Sequence, residues 1–270
     1  MRSFLSIHAR NPGSMTGSGN HTYLMIDAGR GALIDAGVGD PGHVADIRLE
    51  LEHAAATLGS ILVTHGHPDH ASGAPGLADA FPAARFRKFP WLDEDRRFGV
   101  SWEPLADGDQ VTVGAEHLTV VYTPGHSPDH LSFWHEPTRT LFSGDLIVEG
   151  SSVMIHASGG GSLIQYLASL RRVLSLNPLR LLPAHGPEIR EPERTIKRYL
   201  SHRQMREEQV IRSLGAGRRT VRAIVDSIYD DLAPALVPAA EENVRAHLEK
   251  LRLDGSAVEH RDGWNLRARE

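Results

Sequence analysis

Apolar residues fall along this chain in two rhythms, and the change from one to the other divides it. Through the first 195 residues, short β-branched or alternating runs at 22–26, 32–35, 61–63, 117–122, 131–134 and 141–142 read as strands. Helical spacing lies between them at 43–56 and 163–176. Such alternation predicts an α/β layered domain. Past Pro192 the pattern changes. Residues 193–214 read as one long charged helix, 221–229 as a short amphipathic one and 240–253 as a third. Segments 257–260 and 264–266 then flank Arg261-Asp262-Gly263, a hairpin with an Asp-Gly turn. Helices followed by a two-stranded hairpin predict a winged-helix-like C-terminal domain, so the chain is expected to divide into 1–195 and 196–270.

One apolar run ends unlike the others. Residues 61–70 read I-L-V-T-H-G-H-P-D-H, a buried-strand composition stopped by Gly66 and Pro68, with four metal-ligand side chains in six positions. In an extended segment His65, His67 and Asp69 share one side and His70 points away, unless a turn at Pro68 brings it back. With that turn, two close ligand sets can hold two cations, the arrangement of a two-metal hydrolytic site.

This loop cannot fill two coordination spheres alone. Three further segments repeat its order of strand, turn and ligand: His126 after 120–125, Asp145 after 140–144 and His185 after 179–184. Each alone reads equally well as a turn residue. Ligands at the ends of successive strands converge on one sheet edge, which favours coordination for the set. The chain has no cysteine, so any metal is held by nitrogen and oxygen, which suits zinc, manganese or iron.

Thr64-His65-Gly66-His67-Pro68-Asp69-His70, then Gly125-His126, Ser143-Gly144-Asp145 and Ala184-His185-Gly186, resemble the signature of the metallo-β-lactamase superfamily in order and spacing, over roughly residues 15–190. Within it, Tyr199-Leu200-Ser201-His202-Arg203 and the helical tail resemble the branch of β-lactamase-like protein 2. The resemblance implies a four-layer αββα sandwich. It also implies that His65, His67 and His126 hold one metal, that Asp69, His70 and His185 hold a second, and that Asp145 bridges them. Two zinc ions, with manganese or iron as alternatives, would share a water whose pKa falls from about 15.7 towards 7. The bridging hydroxide replaces a protein nucleophile. Asp69 beside it is the expected catalytic residue, orienting the hydroxide and carrying a proton to the leaving group.

The implied activity is hydrolysis of a small ester, thioester or lactone. A true β-lactamase is disfavoured, since those enzymes generally lack a bridging carboxylate, and the basic glutathione-binding cluster of glyoxalase II-like thioesterases is not found in the tail. Charge bears on the alternatives. Residues 1–195 carry 15 Lys and Arg against 22 Asp and Glu, while 196–270 carry 14 against 12, so the metal domain repels polyanions and the tail is only mildly basic. Single-stranded RNA cleavage stays open, as does a non-catalytic nucleic-acid-binding role through Arg245, Arg252, Arg261, Arg267 and Arg269, and so does an iron oxidase or dioxygenase. The first eight residues hold no long apolar region, so neither signal peptide nor membrane span is expected, and a cytoplasmic protein, monomeric or homodimeric, is the expectation.

Smaller features complete the reading. His130 and His135 read as structural or surface residues, His21 as a turn residue or an outlying site residue. Gly159-Gly160-Gly161 reads as a mobile access loop or a linker, and Trp91 and Trp102 as pocket lining or core plugs.

Overall fold

A computed structural model describes residues 3–13, 16–150 and 152–267. Two sheets face each other. The first runs β1 (Ser3–His8), β2 (His21–Asp27), β3 (Arg30–Ile34), β4 (Thr57–Leu62), β5 (Arg85–Lys88) and β6 (Trp102–Pro104), in that spatial order. Its first three strands are antiparallel, and the pairs from β3 to β6 are parallel. The second is built from β7 (Gln110–Val113), β8 (Glu116–Tyr122), β9 (Leu131–His135), β10 (Thr140–Gly144) and β11 (Arg180–Pro183), with β11 parallel to β10 and the other pairs antiparallel.

Side chains alternate across each strand, so each sheet owns an inner and an outer face. Tyr23, Met25, Ile34 and Leu62 of the first sheet meet Val111, Leu118, Phe133 and Phe142 of the second in the central core. The outer faces are covered by helices. Ile47 and Leu51 of α1 (Pro41–His53) and Leu77 of α3 (Ala74–Ala80) pack beneath Leu33 and Ile61. Tyr166, Leu170 and Val173 of α5 (Leu163–Ser175) and Ile196 and Tyr199 of α6 (Pro192–Gly215) cover Leu141 and Leu181. The result is the expected αββα sandwich. Caps fix the helix starts: Asp40 Oδ1 accepts from Gly42 and His43 backbone N–H at 2.9 and 3.1 Å, worth about 1 kcal/mol.

Two single-turn helices, α2 (Pro68–Ala71) and α4 (Leu92–Asp95), sit in loops. Beyond them, α6, α7 (Val221–Ile228), α8 (Val237–Leu253) and the hairpin of β12 (Ala257–His260) and β13 (Gly263–Leu266) enclose a separate core of Val210, Leu214, Ile224, Val244, Leu248 and Trp264. This is the winged-helix module. α6 belongs to both cores, its first turns against the sandwich and its last turns in the module. The hairpin loop is Arg261-Asp262, and Gly263 pairs with His260 rather than turning the corner. Arg269 lies outside the described residues. Among the described residues, no helix is long and apolar enough to cross a membrane.

Candidate metal centre

Strands β4, β8, β10 and β11 all end at one edge of the sandwich, and the loops that follow them carry His65, His126, Asp145 and His185. Pro68 is what recovers His70. It starts α2 directly after His67, and the single helical turn, closed by His70 N–H to the His67 carbonyl at 3.0 Å, rotates His70 back towards the site. All seven predicted residues converge. His65, His67 and His126 form one group, Asp69, His70 and His185 another, and His65, His70 and Asp145 a third, each with its ligand atoms within 4.8 Å of one another.

Hydrogen bonds assign the ring tautomers. His126 Nδ1–H donates to the Met154 carbonyl at 2.8 Å. Thr64 Oγ1 gives its proton to Asp35 at 2.9 Å and therefore accepts from His65 Nδ1–H at 3.1 Å. Both Nε2 lone pairs then face His67 Nδ1, at 2.9 Å from His65 and 3.0 Å from His126. Burial lowers His65 and His126 below the usual histidine value and takes His67 down to about 3, so these rings are neutral at pH 7. Three neutral ring nitrogens converge here, and together they could hold a cation.

The second group is charged. Asp69 Oδ2 lies 3.4 Å from His70 Nε2 and 3.3 Å from His185 Nε2, and Asp145 Oδ1 lies 3.5 and 3.3 Å from the same atoms. Asp145 Oδ2 turns the other way, 3.6 Å from His126 Nε2, so this carboxylate offers one oxygen to each group. Its Oδ1 is buried and makes no hydrogen bond, as does His185 Nδ1. Burial disfavours charge on His70 and His185, yet Asp69 and Asp145 outweigh it, lifting His70 well above its ordinary value and His185 to about 9. The local field asks for positive charge between these side chains. The donor set, imidazole nitrogens and carboxylate oxygens gathered at one edge, is of the kind that divalent metals take.

Several supporting residues carry no motif. Asp35, just after β3, accepts from His70 Nδ1 at 2.9 Å and from Thr64 N–H at 2.8 Å. A signal for it existed, since Ile34-Asp35 repeats the strand-then-carboxylate order of Asp145. Asn20, not its neighbour His21, reaches the site, donating to Asp69 Oδ2 at 3.0 Å while Asn11 fixes its amide orientation at 2.7 Å. Asp129 accepts from Gly66 N–H at 2.8 Å and pairs with the fully buried Lys88 at 3.0 Å, and Lys88 also pairs with Asp95 at 2.5 Å. His130 is structural, as expected, but to a purpose: Asp145 N–H donates to its Nε2 at 3.1 Å.

Two glycines make close approaches possible. A Cβ at Gly125 (φ +133°) would lie 2.3 Å from the Tyr166 backbone nitrogen, and one at Gly144 (φ +50°) 2.9 Å from Thr64 Cβ. His135 is buried in β9 against Thr138 and Glu116, away from the ligands. Trp102 packs on Phe86 and Phe98, while the Trp91 ring lies against Gly66 of the ligand loop. The glycine run is no open loop: Gly161 N–H donates to the His156 carbonyl at 2.8 Å and Ser158 N–H to Glu242 of α8 at 2.9 Å.

Comparison with known proteins gives a consistent picture. A family model described as the metallo-beta-lactamase superfamily matches residues 15–185, and one for a beta-lactamase associated winged helix domain matches residues 220–264. The beta-lactamase-like protein 2 homolog of Drosophila melanogaster is 34% identical over 266 residues, covering 94% of this chain and 89% of that protein. An atrochrysone carboxyl ACP thioesterase, dmxR1 of Cryptosporiopsis, is 29% identical over 96% of this chain and 83% of its own length. Among solved structures, a beta-lactamase domain protein from Burkholderia ambifaria aligns with a TM-score of 0.81 at 22% identity, over 98% of this chain and 92% of that one. TTHA1623, in a di-iron-bound form, aligns with a TM-score of 0.56 at 26% identity, over 74% and 97%.

Proposed function

The chain belongs to the metallo-beta-lactamase superfamily, and from that premise we propose that it is a binuclear metal-dependent hydrolase of a small ester, thioester or lactone. One observation carries the reading: seven histidine and aspartate side chains from four strand ends meet in adjoining groups of potential ligands. His65, His67 and His126 would hold one cation, Asp69, His70 and His185 the other, and Asp145, with one oxygen towards each group, would be shared between them. Zinc is our first assignment, with manganese or iron as alternatives, iron being the metal in the TTHA1623 neighbour. Bound there, such ions acidify water and polarise an acyl oxygen, which is why no serine or cysteine nucleophile is needed.

The chain's own residues supply the rest. Asp69 is the more open of the two carboxylates, with 24% of its side chain exposed against 14% for Asp145. Burial works against its ionisation, but His70 and His185 hold it well below the usual carboxylate range, so it is an ionised carboxylate at pH 7, and its greater exposure is what places it beside the leaving group in this reading. Asn20 keeps its Oδ2 turned inward. Asp145, whose backbone N–H is held by His130, is the more enclosed carboxylate.

Two facts support a small acyl substrate over RNA: the acidic balance of residues 1–195, which repels a polyanion, and the thioesterase name of one relative. The test is a hydrolysis screen over ester, thioester, lactone and single-stranded RNA substrates, with zinc, manganese or iron supplied and after chelation. Chelator-sensitive turnover of an acyl substrate is expected. Cleavage of RNA alone would replace the substrate class, and turnover indifferent to chelation would remove the reading.

A further inference from the structure

Between Asp145 and the start of α5 the chain crosses the edge of the site, and this crossover is fastened to helices α6 and α8. Tyr199 Oη of α6 donates to the Val148 carbonyl at 2.8 Å and accepts from its N–H at 3.1 Å. Arg203, 2% exposed and the next inward-facing residue of α6, donates to the Val153 carbonyl and to Asn243 Oδ1 of α8, the latter at 3.1 Å. Its guanidinium lies over the Tyr166 ring at 5.3 Å. Farther on, Glu242 of α8 accepts from Ser158 N–H. Met154 sits within this fastened segment, and its carbonyl is the acceptor that sets the His126 tautomer.

We propose that the C-terminal module is a positioning element of the metal centre: Arg203, bridging α6, Asn243 of α8 and the Val153 carbonyl, fixes the Met154 carbonyl and thereby the orientation and tautomer of His126. This rests on the assignment of His126 as a ligand, but its first consequence is independent of metal. An imidazole whose Nδ1–H has no fixed acceptor exchanges between tautomers, and the form protonated on Nε2 cannot ligate through that atom. Outer partners of this kind typically govern metal affinity by about 10–100-fold. A backbone carbonyl is a good acceptor only while its segment is held, and 152–156 has no helix or strand of its own to hold it. Arg203 therefore acts through Met154 and touches no ligand itself.

The experiment uses the full chain with Arg203→Met, Arg203→Lys and Asn243→Ala, the last keeping the buried arginine in place should its loss prevent folding. Nitrogen-15 NMR of the histidine rings, recorded on metal-free protein at pH 8, reports the His126 tautomer, and cobalt(II) titration against a chromophoric chelator reports affinity. Arg203→Met and Asn243→Ala should shift His126 from the single Nδ1–H form to a mixture and weaken cobalt binding about 10-fold, with Arg203→Lys restoring part of both. Glu259→Gln, on the hairpin, should change neither. Folded variants with an unchanged His126 tautomer would overturn the inference. A chain that binds no cobalt would instead defeat the metal assignment, while the tautomer measurement still decides the role of Arg203.

Discussion

Asp35 Oδ2 accepts a 2.9 Å hydrogen bond from His70 Nδ1, joining residues 35 positions apart whose side chains are 3% exposed and fully buried. That carboxylate leaves His70 Nε2 as the atom presented to Asp69 and Asp145, and it also holds Thr64 through both N–H and Oγ1. Asp35→Asn is expected to keep the fold and to lower affinity for the second cation by about 10–100-fold, measured by chelator competition. Unchanged affinity in a folded variant would reduce Asp35 to a packing role.

A second buried pair braces the ligand loop from below. Lys88 is fully buried between Asp95 and Asp129, and Asp129 in turn holds Gly66 N–H between two ligand histidines. Lys88→Met strands two carboxylates and should cost about 3–5 kcal/mol in urea unfolding. The exposed pair Arg97–Glu94 is the comparison, where Arg97→Met should cost less than about 1 kcal/mol. Equal losses would show that Lys88 is not the buried brace described.

These supports explain how far the sequence could be read. The seven side chains that converge at one edge were legible because their histidines and aspartates are concentrated in short turns that apolar strands punctuate. Asp129 and Lys88 were not, because each is an ordinary charged residue until the fold places it beside Gly66. The strands 85–88, 102–104 and 110–113 also escaped notice: Arg85–Lys88 alternates charged and apolar residues over only four positions, and Trp102–Pro104 is short and ends in proline. The run 159–161 suggested mobility because glycine permits it, whereas here the glycines make room for a turn packed on α8. α6 read as a single charged helix, and nothing in its spacing revealed that its two ends serve different cores.

Acid sensitivity has a contributor away from the centre. His43 is buried with Nε2 against Thr22 Oγ1 at 2.8 Å and Nδ1 without a partner, and burial lowers it to about 4 from an ordinary 6.5. The unfolded chain therefore binds this proton before the folded one does. Its contribution is fully present above about pH 6.5 and is lost as pH falls towards 4, amounting to about 3 kcal/mol. Urea unfolding at pH 7.5, 6 and 5, with chelator present throughout, should show a smaller drop for His43→Gln than for the wild type. Parallel pH curves would contradict the assignment.

The hairpin arginines separate the two substrate classes. Arg261 and Arg267 are exposed on a wing whose core is distinct from that of the sandwich. Arg261→Gln and Arg267→Gln should leave small-ester hydrolysis unchanged. If RNA were the substrate, each lost phosphate contact would lower the salt slope of binding by about one unit and weaken binding to all sequences. Rates on both substrates across a salt series decide between them.

In the proposed function, seven side chains hold two cations, with Asp145 shared, and hydrolysis requires both. The decisive measurement is elemental analysis of dialysed protein, folded by circular dichroism, for the wild type, His67→Ala and Asp145→Asn, alongside turnover of whichever acyl substrate the screen returns. Close to two metal equivalents per chain are expected in the wild type, with lower occupancy and turnover together in both variants. Folded wild type free of transition metal, or Asp145→Asn with full metal content and full activity, would contradict it.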